Sequence, residues 1–375
     1  MSESVALVRV DDVAKAYDFG ASHPLRPERV LLTYDRIDQL GLDRLSHVTG
    51  IRSRSASEEE ITAVHDPMFV AAVQGIDDGS IERWAGIEFG LGTPDNPIFA
   101  GMHDAAAAVS GASVVAAEAV CSARAQHSFN PAGGLHHARR SEASGFCIYD
   151  DPAVAIAKIL DVKPSWRVMY IDVDVHHGDG VQWIFYDDPR VLTVSFHQSG
   201  TTLYPGTGFT DEIGERDGAG TSANVPLEPG TGEDDYLWAL RRVVDALAAA
   251  FAPDVLFTQL GADTHHGDPL ANLALTMPVY PRISALLHST AHTFTKGRWI
   301  ATGGGGYQAT TVVPMVWTMH FAEMCGTPEA IPDQWLADRP AKPSRPDSRQ
   351  RIAASVARVL ELCVPRLTEI RAAAP

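Results

Sequence analysis

The side chains with the clearest chemical potential are acids and histidines in the segment 170–179 (YIDVDVHHGD). Asp172, Asp174 and His176 recur there at two-residue intervals. Side chains at that interval share one face of a β-strand. Three ionisable groups on one face repel one another or lose hydration unless a cation joins them, and a divalent metal ion meets this requirement. The alternative interpretation is an acidic strand end held by hydrogen bonds alone.

A further acid, Asp263, follows the apolar run 254–260 in the segment 261–264 (GADT). If both runs are strands of one parallel sheet, Asp263 lies at the same sheet edge as Asp174 and His176. Catalytic zinc sites have three protein ligands and an open position for water, whereas structural zinc sites are closed by four ligands. An Asp–His–Asp set therefore predicts an open, catalytic metal site.

Two adjacent histidines, His136 and His137, stand in the glycine-containing segment 133–138 (GGLHHA). A lone buried histidine is usually a satisfied core residue, but a pair beside an acidic metal edge suits proton transfer. Such a pair indicates a general base and a general acid, each oriented by a carboxylate. Asp172 and Asp179 are the carboxylates available for that role.

The glycine run 303–306 is followed directly by Tyr307. A glycine run alone is a weak signal, and the pattern lacks the GxGxxG spacing or the lysine of a phosphate-binding loop. Four glycines let the backbone pass close to a substrate and present the Tyr307 hydroxyl. A phenol placed in this way can stabilise the oxyanion of a tetrahedral intermediate.

A fold that brings these segments together must place them at one edge of a β-sheet. Short β-branched runs alternate with helical patterns, which predicts an α/β fold: one domain with a mostly parallel sheet, helices on both faces and the site at the strands' carboxyl ends. The predicted strands are 5–10, 167–175, 191–197, 254–260 and 298–302, and the predicted helices are 104–121, 152–160, 233–251 and 281–294. The proline-rich stretch 326–348 and a last amphipathic helix near 349–370 divide the chain into a catalytic domain, residues 1–325, and a C-terminal appendage, residues 326–375.

Composition limits the class of function. Lysine and arginine total 30 against 47 acidic residues, a formal net charge of −17 among 375 residues. A field of that sign repels nucleic acid and anionic lipid and attracts cationic substrates. The four cysteines show no CxxC spacing, so we expect a reducing cytoplasm. No basic leader and no apolar segment of spanning length is evident, so no membrane is expected.

Taken together, the motifs resemble the histone deacetylase superfamily, in particular its bacterial acetoin-utilisation-type members and their relatives, the acetylpolyamine amidohydrolases. The matching segments run from about residue 20 to 310 in the family's order. They are 23–29 (HPLRPER), 133–138 (GGLHHA) with 143–147 (ASGFC), 172–180 (DVDVHHGDG), and 261–264 (GADT) with 303–307 (GGGGY).

This resemblance implies a metal-dependent amide hydrolase with an arginase/deacetylase-like fold. It implies that Asp174, His176 and Asp263 bind Zn²⁺, with Fe²⁺ as the alternative ion. His136 and His137, backed by Asp172 and Asp179, would form the acid–base pair, and Tyr307 would polarise the carbonyl. A structural K⁺ or Na⁺ ion is also implied, at Asp172, Asp174, His176, Ser195 and Phe196.

The resemblance also implies an acetyl-lysine tunnel. Phe146 matches one of its two aromatic walls, and Tyr204 takes the place of the usual phenylalanine, which makes the tunnel slightly more polar. Gly145 and Leu270 would contact the substrate as well, and Asp95 stands where the family has an acid at the tunnel rim. The implied partner is an acetylated protein or, alternatively, a small acetylated amine such as an acetylpolyamine.

Two other functions remain open on the residues. A binuclear arginase-like hydrolase needs a second acid beside Asp263, where this chain has Thr264, His265 and His266. A non-catalytic acetyl-lysine binder usually lacks a ligand, a histidine or the tyrosine, and all of these are present. His265 and His266 depart from the family pattern, and we interpret them as solvated loop residues rather than as part of the pocket mouth.

Overall fold

Eight parallel strands form the central sheet of the computed structural model, which describes residues 3–10, 16–340, 342–344 and 346–373. The strands are β1 (Val5–Arg9), β2 (Val48–Arg52), β3 (His127–Asn130), β4 (Val168–Asp172), β5 (Val191–Gln198), β6 (Ser222–Leu227), β7 (Val255–Gln259) and β8 (Trp299–Thr302). Their order across the sheet is β2-β1-β3-β8-β7-β4-β5-β6. Because every pairing is parallel, all carboxyl ends meet at one edge.

Helices cover the sheet, and they pack in two groups. Helix α1 contacts α9, α9 contacts α8, α8 contacts α7 and α7 contacts α10, whereas α4 contacts α3 and α5, and α2 contacts α3 and α5. The bounds are α1 (Glu28–Gln39), α2 (Glu58–Thr62), α3 (Pro67–Asp78), α4 (Met102–Cys121), α5 (Asp151–Val162), α6 (Asp179–Ile184), α7 (Glu233–Phe251), α8 (Val279–Thr295), α9 (Val312–Met324) and α10 (Pro346–Ala373). The predicted fold class is confirmed.

All five predicted strands are present, but β2, β3 and β6 were missed. Strand β2 lies at the sheet edge, is half exposed and contains Gly50, so it lacks an apolar pattern. Strands β3 (HSFN) and β6 (SANVPL) are buried yet rich in polar residues. Their polar side chains bond to neighbouring elements, for example Ser128 Oγ to the Ala116 carbonyl at 2.9 Å. A search for continuous apolar runs passes over such strands.

Helix α4 corrects the expectation that no segment is long and apolar enough to span a membrane. By length and composition it qualifies, with a hydropathy of 1.4 over its most apolar window. In the structure 89% of that window is buried inside the molecule. Alanine and valine dominate the helix, and its buried side chains pack against α5 and strands β1, β3 and β8. This environment is that of a core helix in a folded domain.

The C-terminal helix α10 begins at Pro346, three residues earlier than predicted, and ends at Ala373. It packs against α7 and β6 and buries Ile352, Val359, Cys363 and Leu367 in the main hydrophobic core. Two short 3₁₀ turns, Pro328–Ala330 and Asp333–Trp335, lie in the proline-rich stretch before it. The domain boundary at residue 326 stays a prediction.

We expect the Leu367→Ala substitution to lower the free energy of unfolding by about 2–4 kcal/mol, because it leaves a cavity at a fully buried site. Denaturant titration followed by circular dichroism measures this change. Glu361→Ala, on the exposed face of the same helix, is the control and should shift stability by less than about 0.5 kcal/mol. Equal effects of the two substitutions would show that α10 does not share the domain's core.

Candidate active site

Three predicted metal ligands meet at the carboxyl edge of the sheet. The potential ligand atoms of Asp174, His176 and Asp263 all lie within 4.8 Å of one another. His176 Nδ1 lies 3.2 Å from Asp174 Oδ1 and 3.1 Å from Asp263 Oδ2. Both carboxylates are fully buried. We refer to these three residues as the Asp–His–Asp trio.

The geometry that joins the trio differs from the predicted one. Strand β4 ends at Asp172, so Asp174 and His176 lie in a bend beyond the strand rather than on one strand face. The bend is bonded to the strands on both sides of β4. Val173 N–H donates to the Gln259 carbonyl of β7 at 3.1 Å, and the Gln198 N–H of β5 donates to the Val175 carbonyl at 2.8 Å. The Val175 amide also donates to Asp263 Oδ1 at 2.8 Å. The main chain itself thus directs the trio to one point.

The charge balance of the trio favours a cation. Burial and the neighbouring Asp174 carboxylate raise the pKa of Asp263 to about 8. Burial opposes the charged form of His176, but the two carboxylates outweigh it and raise the pKa of its imidazole to about 10. Burial opposes the charged form of Asp174, but the imidazoles of His136 and His176 outweigh it and hold its pKa well below the usual range. Asp263 is therefore the carboxylate that becomes an anion at neutral pH only with added positive charge. Two oxygen ligands and one nitrogen ligand, three protein ligands in all, fit a catalytic divalent metal site.

The predicted histidine pair lies beside the trio. His136 and His137 approach each other through their Nε2 atoms, 3.1 Å apart. Their outer nitrogens bond to the predicted carboxylates: His136 Nδ1 lies 2.7 Å from Asp172 Oδ2, and His137 Nδ1 lies 2.7 Å from Asp179 Oδ1. His136 Nε2 is also 4.0 Å from Asp174 Oδ1. The structure thus brings both His–Asp pairs to the metal edge.

The two histidines differ in protonation. Burial opposes the charged form of His136, but the carboxylates of Asp172 and Asp174 outweigh it and raise its pKa to about 10. Burial and the charge of His136 lower the pKa of His137 to about 4. In this state one imidazole carries a proton that the other lacks, which suits a pair that must both accept and donate a proton.

Tyr307 enters from the glycine run on the other side of the trio. Its ring centroid lies 6.3 Å from that of His176 and 5.7 Å from that of Phe146. A Cβ added at Gly305 would lie 2.1 Å from Asp263 Oδ2, so the run must be glycine to pass the metal edge. The Gly305 amide donates to Asp174 Oδ2 at 2.6 Å. The same turn therefore places the tyrosine and holds a ligand.

The predicted substrate residues occupy different positions around this centre. The Tyr204 ring lies 5.1 Å from that of His137 and is 41% exposed, and its hydroxyl bonds to the Ser144 hydroxyl. Gly145 approaches the His137 ring so closely that an added Cβ would clash with it at 2.4 Å. Leu270 is half-buried in the loop that follows Asp263, where its amide donates to Asp268. These residues lie at the mouth of the site, on the His137 and Tyr307 sides.

The predicted rim acid, Asp95, has an exposed side chain, and its carbonyl lies 3.2 Å from His23 Nε2. His23 in turn packs edge-on against Phe146, with the ring centroids 4.6 Å apart. The loop that carries Asp95 is therefore joined to an aromatic wall of the mouth. Whether the Asp95 carboxylate grips a substrate stays a prediction.

Of the residues predicted for the monovalent ion, Asp174 and His176 belong to the trio, and the others lie in strands β4 and β5. Asp172 and Ser195 are direct neighbours across the β4–β5 pairing, and Phe196 follows in β5. Ser195 Oγ lies 2.8 Å from His197 Nδ1. An ion at Asp172, Asp174, His176, Ser195 and Phe196 stays a prediction.

Several residues that hold the site were not predicted from the sequence. Gln259 donates from Nε2 to Asp174 Oδ2 at 2.7 Å. The buried Arg29 donates to the Gly304 carbonyl at 2.7 Å and thereby holds the glycine run. Asp151 accepts from the Leu135 amide at 2.7 Å before the histidine pair. Asp268 accepts from the Tyr307 amide at 2.9 Å. Gln259 is a polar residue within the predicted strand 254–260, and Arg29 belongs to the matching segment 23–29, whereas the sequence analysis gave no signal for Asp151 or Asp268.

His265 and His266 are not the solvated loop residues that we predicted. Both bond through Nε2 to the Asp338 carboxylate, at 2.9 Å each, and their ring centroids lie 4.3 Å apart. Asp338 belongs to the stretch before the C-terminal helix, 72 and 73 residues further along the chain. This distance in sequence explains why the loop's partner was not evident.

Comparisons with known proteins agree with this geometry. The family model described as the histone deacetylase domain matches residues 23–324. The acetoin utilization protein AcuC of Bacillus subtilis (strain 168) is 45% identical over 324 residues, which cover 86% of this chain and 83% of that protein. AcuC of Staphylococcus xylosus is 32% identical over 339 residues, which cover 90% of this chain and 87% of that protein.

Two solved structures share the fold over nearly the whole chain. A histone deacetylase (HDAC) homologue from Aquifex aeolicus has a TM-score of 0.81 and 29% identity, covering 94% of this chain and 100% of that one. An HDAC homologue complexed with SAHA has a TM-score of 0.83 and 28% identity, covering 96% of this chain and 100% of that one. The predicted resemblance is confirmed: the chain belongs to the histone deacetylase family, among its bacterial acetoin-utilisation-type members.

Proposed function

We propose that this protein is a zinc-dependent deacetylase that hydrolyses the acetyl-amide bond of acetylated lysine side chains in proteins. The observation that carries the proposal is the contact between the Asp–His–Asp trio and the two His–Asp pairs. Amide hydrolysis needs a polarised carbonyl, an activated water and a proton for the departing amine. Groups that can meet each of these three requirements lie at this edge of the sheet.

The trio fits Zn²⁺ in the chemistry of its donors. One imidazole and two carboxylates are ligands that zinc accepts, and three protein ligands leave a position open. When bound, the ion supplies Lewis acidity for the carbonyl and for water. Gln259, the Gly305 amide and the Val175 amide hold the ligand carboxylates from behind. Such outer contacts orient metal ligands and raise affinity. Iron(II) would suit the same set.

Proton transfer falls to the histidine pair. His137 is neutral in the state described above, so its Nε2 can accept a proton from the attacking water while Asp179 fixes its Nδ1–H. The water oxygen bonds to the acetyl carbon. The C–N bond then breaks as an imidazolium of the pair donates a proton to the amine nitrogen. The second proton of the water also passes to the amine, so acetate and the protonated amine are the products.

Tyr307 supplies a hydrogen bond to the carbonyl oxygen as negative charge develops on it. Burial and the nearby carboxylates of Asp263 and Asp174 raise the pKa of its phenol well above the ordinary value. The hydroxyl therefore remains protonated at neutral pH and acts as a donor. The aromatic packing of Tyr307 against Phe146 holds the ring at the mouth.

Charge and shape favour a lysine side chain as the amine. The chain's net charge of −17 attracts cationic partners, and Phe146 and Tyr204 can flank an aliphatic stem. A small acetylated amine, such as an acetylpolyamine, shares that chemistry and is the alternative substrate. The relatives named AcuC are acetoin utilization proteins, which does not decide between the two.

Two competing functions have less support. A binuclear hydrolase needs a second acid at the trio, but the residues that follow Asp263 have other partners: Thr264 bonds to Tyr280 and His265 to Asp338. A non-catalytic binder would not need the two His–Asp pairs. We further propose a cytoplasmic location, since Cys121, Cys147, Cys325 and Cys363 are free and buried.

Removal of the metal should abolish activity. After treatment with a chelator, we expect hydrolysis of an acetyl-lysine peptide to cease and to return on addition of Zn²⁺. Asp263→Asn should weaken zinc affinity by more than about 100-fold, because it removes a ligand charge. Asp211→Asn, at an exposed position, is the matched control and should behave as the wild type. Unchanged activity in chelator would contradict the metal-dependent mechanism.

Tyr307→Phe should lower kcat/KM by about 10²–10³-fold, because it removes one hydrogen-bond donor to the developing oxyanion. Steady-state kinetics on the zinc-loaded protein measures this loss. Tyr186→Phe changes a tyrosine that packs at a tilt against Trp183 away from the site, and it should leave kcat/KM unchanged. A Tyr307→Phe enzyme with full activity would remove the phenol from the mechanism.

The substrate class is tested with a matched pair, an acetyl-lysine peptide and an acetylpolyamine. We expect kcat/KM to be at least about tenfold higher for the peptide, a difference of roughly 1.4 kcal/mol in transition-state binding. A preference for the polyamine would establish the small-amine alternative. Turnover of neither substrate by zinc-loaded protein would contradict the deacetylase proposal itself.

A further inference from the structure

A second group of potential metal ligands lies at the opposite edge of the sheet. Glu3 precedes β1, and His127 is the first residue of β3, so both stand at amino ends of strands. His288 and His292, four residues apart in α8, project from one face of that helix. We call these four residues the histidine cluster. The catalytic trio follows the carboxyl ends of β4 and β7, so the two groups are separate.

The four side chains converge on one point. Glu3 Oε2 lies 2.9 Å from His127 Nε2 and 3.1 Å from His288 Nε2, and Glu3 Oε1 lies 2.9 Å from His292 Nε2. All four potential ligand atoms are within 4.8 Å of one another. Ligands of a tetrahedral zinc ion with bonds of about 2.0 Å lie about 3.3 Å apart. Small rotations of the partly exposed Glu3 and His292 side chains would reach that spacing.

The surroundings of His288 supply an independent observation. Its Nδ1 lies 3.0 Å from Glu323 Oε1, while its Nε2 faces Glu3. A neutral imidazole has one N–H, so it can donate to only one of these two carboxylates. If it donates to Glu323, the Nε2 lone pair faces the Glu3 carboxylate, so the site requires either a second proton on the ring or a metal ion between them. A carboxylate behind a histidine is also the usual arrangement around metal-bound imidazoles.

The composition of the cluster selects the class of ion. Three imidazoles suit Zn²⁺ and its transition-metal neighbours, whereas Mg²⁺ and Ca²⁺ prefer oxygen ligands. Four protein ligands fill a tetrahedral zinc ion, which is typical of structural rather than catalytic sites. The ligands come from the segment before β1, from β3 and from α8. An ion here would therefore tie the start of the chain to the sheet and to a covering helix.

We propose that Glu3, His127, His288 and His292 bind a second, structural transition-metal ion, with Zn²⁺ as the expected occupant. The alternative is a metal-free ion-pair network, in which the Glu3 carboxylate binds protonated imidazoles. The proposal does not depend on the chemistry at the catalytic trio, because the ligand sets share no residue.

Metal stoichiometry tests this proposal. Protein stripped by a chelator is loaded with Zn²⁺, freed of unbound ion, and analysed for zinc per chain by mass spectrometry. We expect about two ions in the wild type, one in His292→Ala, one in Asp263→Asn and none in the double variant. His47→Ala is the matched control, since His47 lies near the same edge but its Nε2 bonds to the Cys325 carbonyl. It should retain two ions.

Stability gives a second readout that is independent of activity. In the Asp263→Asn background, added Zn²⁺ should raise Tm by about 3 °C or more at concentrations well above Kd, and His292→Ala should remove this shift. His292→Ala alone should leave kcat/KM of the zinc-loaded enzyme unchanged. Should His292→Ala fail to fold, Glu3→Gln provides the same comparison from the exposed side of the cluster.

A zinc content that is the same in wild type, His292→Ala and Glu3→Gln would overturn the proposal in favour of the ion-pair network. A wild type with a single ion that His292→Ala removes would support the second site and count against zinc at the catalytic trio. The two proposals can therefore fail separately.

Discussion

Two fully buried carboxylates, Asp174 and Asp263, face one imidazole at the carboxyl edge of the sheet, and much of the structure serves to keep them there. Buried charges of like sign repel one another and lose hydration, so they persist only with hydrogen bonds and a compensating cation. The Val175 and Gly305 amides and the Gln259 side chain supply the hydrogen bonds. A divalent ion would supply the compensating charge.

The same constraint explains features that otherwise look unrelated. The run 303–306 is glycine because a side chain at Gly305 would collide with Asp263. Arg29 is buried because the carbonyls of that run require a donor, and its guanidinium also lies over the Trp317 ring. The His136–Asp172 contact places a further carboxylate behind the site, where Tyr170 donates to it at 2.7 Å. The contacts behind the site thus orient the side chains that form it.

Sequence reasoning predicted the residues of this centre because their types are unusual where they occur. Acids and histidines directly after apolar strands, and Tyr307 after four glycines, are rarely explained by packing alone. The predicted strand geometry of Asp174 and His176 was wrong, since the chain bends after Asp172. The residues nevertheless meet, because the bend is bonded to the strands on both sides. Spacing along the chain does not reveal such a bend.

Contacts between distant segments could not be predicted from one sequence. Asp338 binds His265 from 73 residues away, and Glu3 lies 124 residues from His127 and 285 from His288. Within that cluster only the four-residue interval between His288 and His292 is visible in the sequence. Polar strands such as β3 are missed for a related reason, because their burial depends on partners that the fold brings from elsewhere.

The central claim is that a metal ion sits between Asp174, His176 and Asp263. A crystal of zinc-loaded protein, with diffraction data collected on both sides of the zinc absorption edge, tests it most directly. We expect an anomalous difference peak within bonding distance of all three side chains, about 2.0–2.2 Å from each ligand atom. A map from catalytically active crystals with no peak there, and with direct hydrogen bonds among the three side chains instead, would contradict the claim.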